Sequence, residues 1–296
     1  MNINELVARY AAGERNFAGV ELAEADLSEL NLSGIILDGA FLSFTTLTRT
    51  VLTGASLVGA FFYGADLTYA KLGQANLSEA NFTKANLTGA YLVKAKLTGA
   101  SLSGAILTGV NLREAQLPEV NLCAARLCGI NLRGADLQKA NLAWANLTGA
   151  KLSGANLTGA RLTGVQLRKA FINGIDLHGV DLDGVDLSGA KISGVNLDRA
   201  NLSVANLSNS YLRVATLTAA DLHAANLYRA SLMRADLSHA NLSDANLQEA
   251  DLTDVNLTGA NLAGVRLTPE MRVVNSPLSR GYCRLQHTGF PQERTA

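Results

Sequence analysis

Leucine, or now and then phenylalanine or isoleucine, occupies every fifth position from Phe17 to Leu267 without one slip in register. A period of five matches neither the 3.6 residues of a helix face nor the 2.0 of a strand face. Self-similarity at such a fixed period marks a repeat architecture, in which each unit buries its apolar side only against its neighbours. The chain has 296 residues, enough for two ordinary domains. A domain boundary would interrupt the register, so the repeat predicts one elongated body instead.

The unit itself is legible. Two residues before each central leucine stands Ala, often Val, with a polar residue, commonly Asn or Asp, between them; Ala145 to Gly149 reads Ala-Asn-Leu-Thr-Gly. Apolar, polar, apolar is strand alternation, with the outer two side chains on one face. The two residues that follow, such as Thr158-Gly159 or Ser188-Gly189, carry turn chemistry. Each pentapeptide is therefore a very short strand plus a corner. Strung together, the corners wind the chain into a polygonal tube with Leu and Ala inside.

With its centres Asp66-Leu67, Asn86-Leu87, Asp136-Leu137 and Asn256-Leu257, the chain resembles the pentapeptide-repeat family, motif A(D/N)LXX, over residues 16–267. The resemblance implies an all-β fold: a right-handed quadrilateral parallel β-helix with four repeats, hence twenty residues, per coil. About twelve coils at ~4.8 Å each give a rod roughly 60 Å long. The twenty can be tested within the chain, because an enlarged inward side chain needs matching room one coil away. Phe62 and Phe82 are twenty apart, as are Ile172 and Ile192, Val110 and Ile130, Val165 and Val185, and Ile175 and Val195. Leu30 with Ile35, and Val180 with Val185, cluster at five as well.

Three segments follow. Residues 1–15 form an N-terminal capping helix: Asn2 and Glu5 fit a capping box, Ile3, Leu6, Val7, Tyr10 and Ala11 keep helical spacing, and Gly13 stops a helix over 3–12. Residues 16–267 form the solenoid. Residues 268–296 form a C-terminal cap and flexible tail, with Thr268-Pro269-Glu270 opening a short helix and Met271, Val273 and Val274 covering the last coil. The N-terminal lead is similar to the starts of cyanobacterial members. Family members can pair through their C-terminal ends, so an end-to-end homodimer is an expectation here.

Basic and acidic residues balance at 25 each, so no global field steers the chain to nucleic acid or an anionic membrane. Direct nucleic-acid binding is therefore not expected. No apolar run reaches the ~18 residues of a membrane span, and Met1 to Glu5 lack the features of a secretory signal. Cys123, Cys128 and Cys283 make an odd count, read as free thiols in a reducing cytoplasm.

Chemistry is sparse. The densest polar cluster is Asp176, His178, Asp181, Asp183 and Asp186. On a four-sided coil Asp176, Asp181 and Asp186 project from three faces, whereas a metal needs ligands converging within about 2.0–2.6 Å. Arg161 lies one coil below Asp181, which favours a solvated ladder of charges. The histidines at 178, 223, 239 and 287 are scattered, no catalytic triad is readable, and a convex rod offers no pocket. The sequence thus predicts no enzyme activity, no catalytic residue, no metal and no cofactor. A row of hydroxyls, Ser28, Thr48, Thr68, Thr88, Thr108 and Thr148, is similar to ice-binding ladders, but the simpler expectation is bonding to their own backbone.

The most informative surface feature is aromatic. Phe41 and Phe61 fall at outward positions twenty apart, with Phe44 and Tyr63 at the corner of the same face. Four aromatics on adjacent coils would form an apolar patch of the kind that marks a contact site, unless the N-terminal segment folds over them. The expectation is a non-enzymatic interaction scaffold or regulator with a protein partner; the cyanobacterial members that it resembles include a differentiation regulator. The alternative is a DNA mimic that binds DNA gyrase, as some members do. Mimicry needs a strongly negative surface, which this neutral chain lacks.

Overall fold

The computed structural model describes residues 1–268. Nearly every corner is a β-turn closed by the amide three residues past the centre, as in Ala25 N–H to Leu22 O at 3.1 Å and Ala85 N–H to Phe82 O at 2.9 Å; the corners after Ile172 and Ile192 lack that bond. The residue just before that amide has positive φ, +67° at Gly89 and +61° at Glu24, the mark of a type II turn. Glycine takes this position readily. The chain places Glu, Lys, Arg and even Val204 there as well.

Parallel bridges link residues twenty apart and fall into four columns. The first runs through Asn16, Ile36 and Ser56; the second through Glu21, Phe41 and Phe61; the third through Asp26, Thr46 and Asp66; the fourth through Asn31, Val51 and Lys71. The expected lag of twenty is therefore the observed pairing. Every column repeats one bonding pattern: Leu67 N–H donates to Asn86 O at 2.7 Å, Tyr69 N–H to Thr88 O at 2.9 Å, and Asn86 N–H to Ala65 O at 2.9 Å. Central and inward small residues fill the interior from Phe17 to Leu267 as one continuous apolar core. Phe62 and Phe82 stack there, ring centroids 4.5 Å apart and planes within 5°.

Helix α1 spans Ile3–Ala11. Asn2 caps it, its side-chain oxygen accepting from Glu5 N–H at 2.8 Å. Leu6 is fully buried and Ile3 and Tyr10 pack beside it against the core, while Tyr10 Oη donates to Ser33 O at 2.8 Å. The helix closes the first coil as the amphipathic pattern predicts, and Gly13, with φ of +99°, follows its end. The C-terminal cap built on Met271, Val273 and Val274 lies outside the described residues.

One irregularity breaks the ladder. The first column has no bridge between Asn156 and Asp176, and the second none between Arg161 and Asp181. The amides of Gly154, Leu157, Gly159, Leu162, Gly164, Asp176, Asp181 and Asp186 lack the inter-coil bond that their equivalents make in other coils. The third and fourth columns stay joined, through Gln166–Asp186 and Lys151–Phe171. The two coils are thus parted on one side and hinged on the other. Behind the gap lies an apolar void of about 10 Å³, lined by the eight consecutive centres from Leu142 to Leu177. That is room for about one water, but without polar partners to hold it.

The cause is volume. Ile175, Val180 and Val185 occupy three successive inward corners; the amides of Asp176, Asp181 and Asp186, which would bond across those corners, are left open, as is that of Asn196, which would bond to Ile175 O. Single enlargements are tolerated: Val110 lies under Ile130, and Asn131 N–H still reaches Val110 O at 2.9 Å. Three adjacent ones exceed what a close-packed interior can absorb at fixed coil spacing.

Candidate functional site

The alternation of each short strand turns the residue before the centre outward, and at the second column this presents Phe41 and Phe61. They are 45% and 41% exposed, with rings stacked at 5.2 Å and 5°. At the adjoining corner Phe44, 57% exposed, meets Tyr63 edge to face at 5.5 Å and 82°. Phe44 takes its place because Gly64, one coil on, leaves room: a Cβ there would stand 2.7 Å from Phe44 Cε1. Lys84 Nζ lies 5.6 Å from the Tyr63 centroid and borders the patch with charge. Three of the four aromatics are therefore open to solvent, and Tyr63 is half-buried beside Phe44. α1 does not fold over them, because its buried side chains serve the first coil.

The polar cluster picked out in the sequence is engaged within the surface. Asp176, Asp181 and Asp186 stand in three different columns, and each accepts from the asparagine one coil later: Asn196 at 2.9 Å, Asn201 at 2.9 Å and Asn206 at 3.3 Å. Arg161 and Asp181 face each other across the parted coils and make no ion pair among the described residues, so the expected charge ladder is interrupted there. Among those residues no cluster of His, Cys, Asp or Glu is arranged to hold a metal ion. Cys123 and Cys128 are free, half-buried thiols; Cys283 lies outside the described residues.

The hydroxyl row differs from expectation in its acceptors. Thr68 and Thr88 donate to Asp66 and Asn86, two residues earlier, at 2.5 and 2.7 Å, rather than to their own backbone. The same Asn and Asp oxygens accept backbone amides, as at Thr88 N–H with 3.1 Å. The repeat's polar middle residue thus ties down its own corner, a role that side-chain reach makes general for Asn and Asp.

Two surface clusters shift proton affinities. Arg229 Nε donates to Glu249 at 2.6 Å and Tyr228 Oη at 2.9 Å; the guanidinium bond first, then the phenol, hold the Glu249 carboxyl below its usual range. The hydrogen bond from Arg9, at 2.6 Å, does the same to Glu14 beside α1.

Against known families, the pattern described as pentapeptide repeats matches in eight copies between residues 16 and 268. The chain is a pentapeptide-repeat protein. Its bridge ladder is the right-handed β-helix of that family. Among solved structures it is similar to HetL from the cyanobacterium Nostoc sp. strain PCC 7120, a pentapeptide repeat protein involved in heterocyst differentiation regulation. Identity is 30% over 91% of this chain and 98% of that one, with a TM-score of 0.51. A pentapeptide repeat protein of the Arabidopsis thaliana thylakoid lumen is 36% identical over 32% of this chain and 70% of its own, TM-score 0.27. Rfr23 of the cyanobacterium Cyanothece 51142 is 29% identical over 36% and 67%, TM-score 0.19. No curated protein matches. Among the described residues of this family member, no helix is long and apolar enough to cross a membrane.

Proposed function

We propose that this pentapeptide-repeat protein is a non-enzymatic rod, four-sided and of about twelve coils at ~4.8 Å each, that acts in the cytoplasm as a protein-interaction scaffold or regulator. The aromatic patch of Phe41, Phe44, Phe61 and Tyr63 is its docking site for a protein partner. The observation that carries this reading is that four large aromatics on adjacent coils pack in two pairs, with Phe41, Phe44 and Phe61 exposed and Tyr63 half-buried. Apolar surface gathered in this way marks contact sites on soluble proteins, and aromatic anchors dominate binding energy at interfaces. The similarity to a cyanobacterial regulator supports a regulatory role. Elsewhere many Asn and Asp side chains are bonded to one another in ladders, and no acid, base and nucleophile converge among the described residues.

The test compares the full chain with a Phe41→Ser, Phe61→Ser, Tyr63→Ser variant as bait in host lysate. All three side chains lie outside the core, so the variant retains its β signal and unfolding midpoint. A protein captured by the wild type and lost with the variant supports the site; identical capture by both refutes it.

A further inference from the structure

The balanced net charge hides a segregation that only the coil reveals. Along the fourth column and its corners, from Lys71 to Arg234, stand eight basic side chains and one acidic, a net charge of +7. Over the same coils the first column and its corners hold three basic and six acidic side chains, a net charge of −3. Lys71, Lys151 and Lys191 project from mid-strand, and Arg113, Arg133 and Arg213 from the next position round the corner. The single acid, Glu114, is taken up by Lys94 at 3.6 Å and Arg113 at 3.3 Å, and Arg234 pairs with Asp254 at 3.6 Å. Lys71, Arg133, Lys151, Lys191 and Arg213 make no ion pair among the described residues.

Aromatic rings share this column at the same mid-strand position: Tyr91, Phe171 and Tyr211. Tyr91 and Tyr211 are half exposed, and Lys191 Nζ lies 4.7 Å from the Phe171 centroid. The stretch spans about eight coils, so at ~4.8 Å per coil it offers roughly one net positive charge per 6 Å along a straight line. A stacked nucleic-acid strand carries one phosphate per ~3.4 Å. The cations therefore suit a strand drawn out until its bases unstack, the state in which aromatic side chains can take the bases. A uniform acidic peptide would match the charge and leave the interleaved rings without a role.

We propose that the fourth column is a binding track for single-stranded nucleic acid, laid along the rod axis, with the free cations on phosphates and Tyr91 and Tyr211 stacking on bases. It is a different column from that of the aromatic patch, so either site can fail without the other.

The test is fluorescence anisotropy of a labelled oligothymidylate about twenty nucleotides long with the full chain, titrated at several salt concentrations from about 50 to 200 mM. Five phosphate contacts give a slope of log K against log salt near −3.5, at ~0.7 per contact. An Arg133→Ala, Lys151→Ala, Arg213→Ala variant should weaken binding at least tenfold and reduce the slope to about −1.4. A Lys96→Ala, Lys139→Ala, Arg199→Ala variant carries the same charge change on the first column and should bind as the wild type does. Tyr211→Ala should lose about fivefold or more, with its salt slope unchanged. Absence of binding at the lowest salt, or equal loss in both triple variants, overturns the proposal. Capture of polyglutamate without capture of the oligonucleotide also overturns it and assigns the track to an acidic protein surface.

Discussion

Replacing Ile175, Val180 and Val185 together with alanine should close the parted coils. The substitutions remove about seven buried methyl-sized groups at ~0.8 kcal/mol each, a loss near 6 kcal/mol. Closure would restore inter-coil bonds at the eight named amides of the parted coils. At a net ~1 kcal/mol per bond that returns about 8 kcal/mol. The two effects nearly cancel, so the unfolding midpoint is the wrong observable. Amide hydrogen exchange is the right one. In the wild type the amides of Leu157, Gly159, Leu162, Gly164, Asp176 and Asp181 should exchange at close to unprotected rates, while Lys139 and Asn141, one coil earlier and fully bonded, stay protected. If an intact rung opens at a cost of about 4 kcal/mol, closure slows exchange at the gap roughly a thousandfold. The one tryptophan gives a second readout, since the Trp144 ring packs over Gly164 at the edge of the gap; its quenching by acrylamide should fall on closure. Exchange at the gap as slow as in the neighbouring coils, or fast exchange that persists in the triple variant, would refute the crowding argument.

Two further outcomes are expected. Val204 holds φ of +56° with its side chain 61% exposed, a β-branched residue in the left-handed region. That conformation costs about 1–2 kcal/mol and glycine about 0.5–1 in chain entropy, so Val204→Gly should raise stability by roughly 0.5–1 kcal/mol in a denaturant titration; a destabilised variant would contradict the turn assignment. Glu249 has a lowered pKa, so its pairing contributes stability above the carboxyl's unfolded value and loses it as pH falls through the folded one. Arg229→Ala should move the Glu249 titration, followed by carboxyl NMR, back up toward the ordinary range.

The period of five and the alternation around each centre disclosed the interior residue by residue, from Phe17 to Leu267, and Phe62 with Phe82 disclosed the lag. The helix was legible because Asn2 and Glu5 are chemically specific at that spacing. The aromatic group was legible too, because Phe41 and Phe61 obey the same lag. What escaped reading was collective. No single residue announces the gap: Val110, Val120 and Ile130 are as large as Val180 and disturb nothing, and only three enlarged corners in succession part the coils. The basic track escaped because a chain-wide charge sum averages over sides that the coil later separates. The hydroxyl row went astray for a local reason. The competing acceptor was a side chain, Asn86 for Thr88, two residues back along the chain.

Four large corner rings lean on a glycine twenty residues onward: Phe44 on Gly64, Tyr69 on Gly89, Trp144 on Gly164 and His239 on Gly259. These lock-and-notch pairs set the unit in which the gene can be edited. Excising five residues, one perfect motif, would leave every local rule intact and yet rotate all that follows by a quarter turn, so that each overhanging ring meets the wrong partner. Excising twenty would shorten the rod and preserve the alignment of its sides. The molecule is written in fives but can be spliced only in twenties.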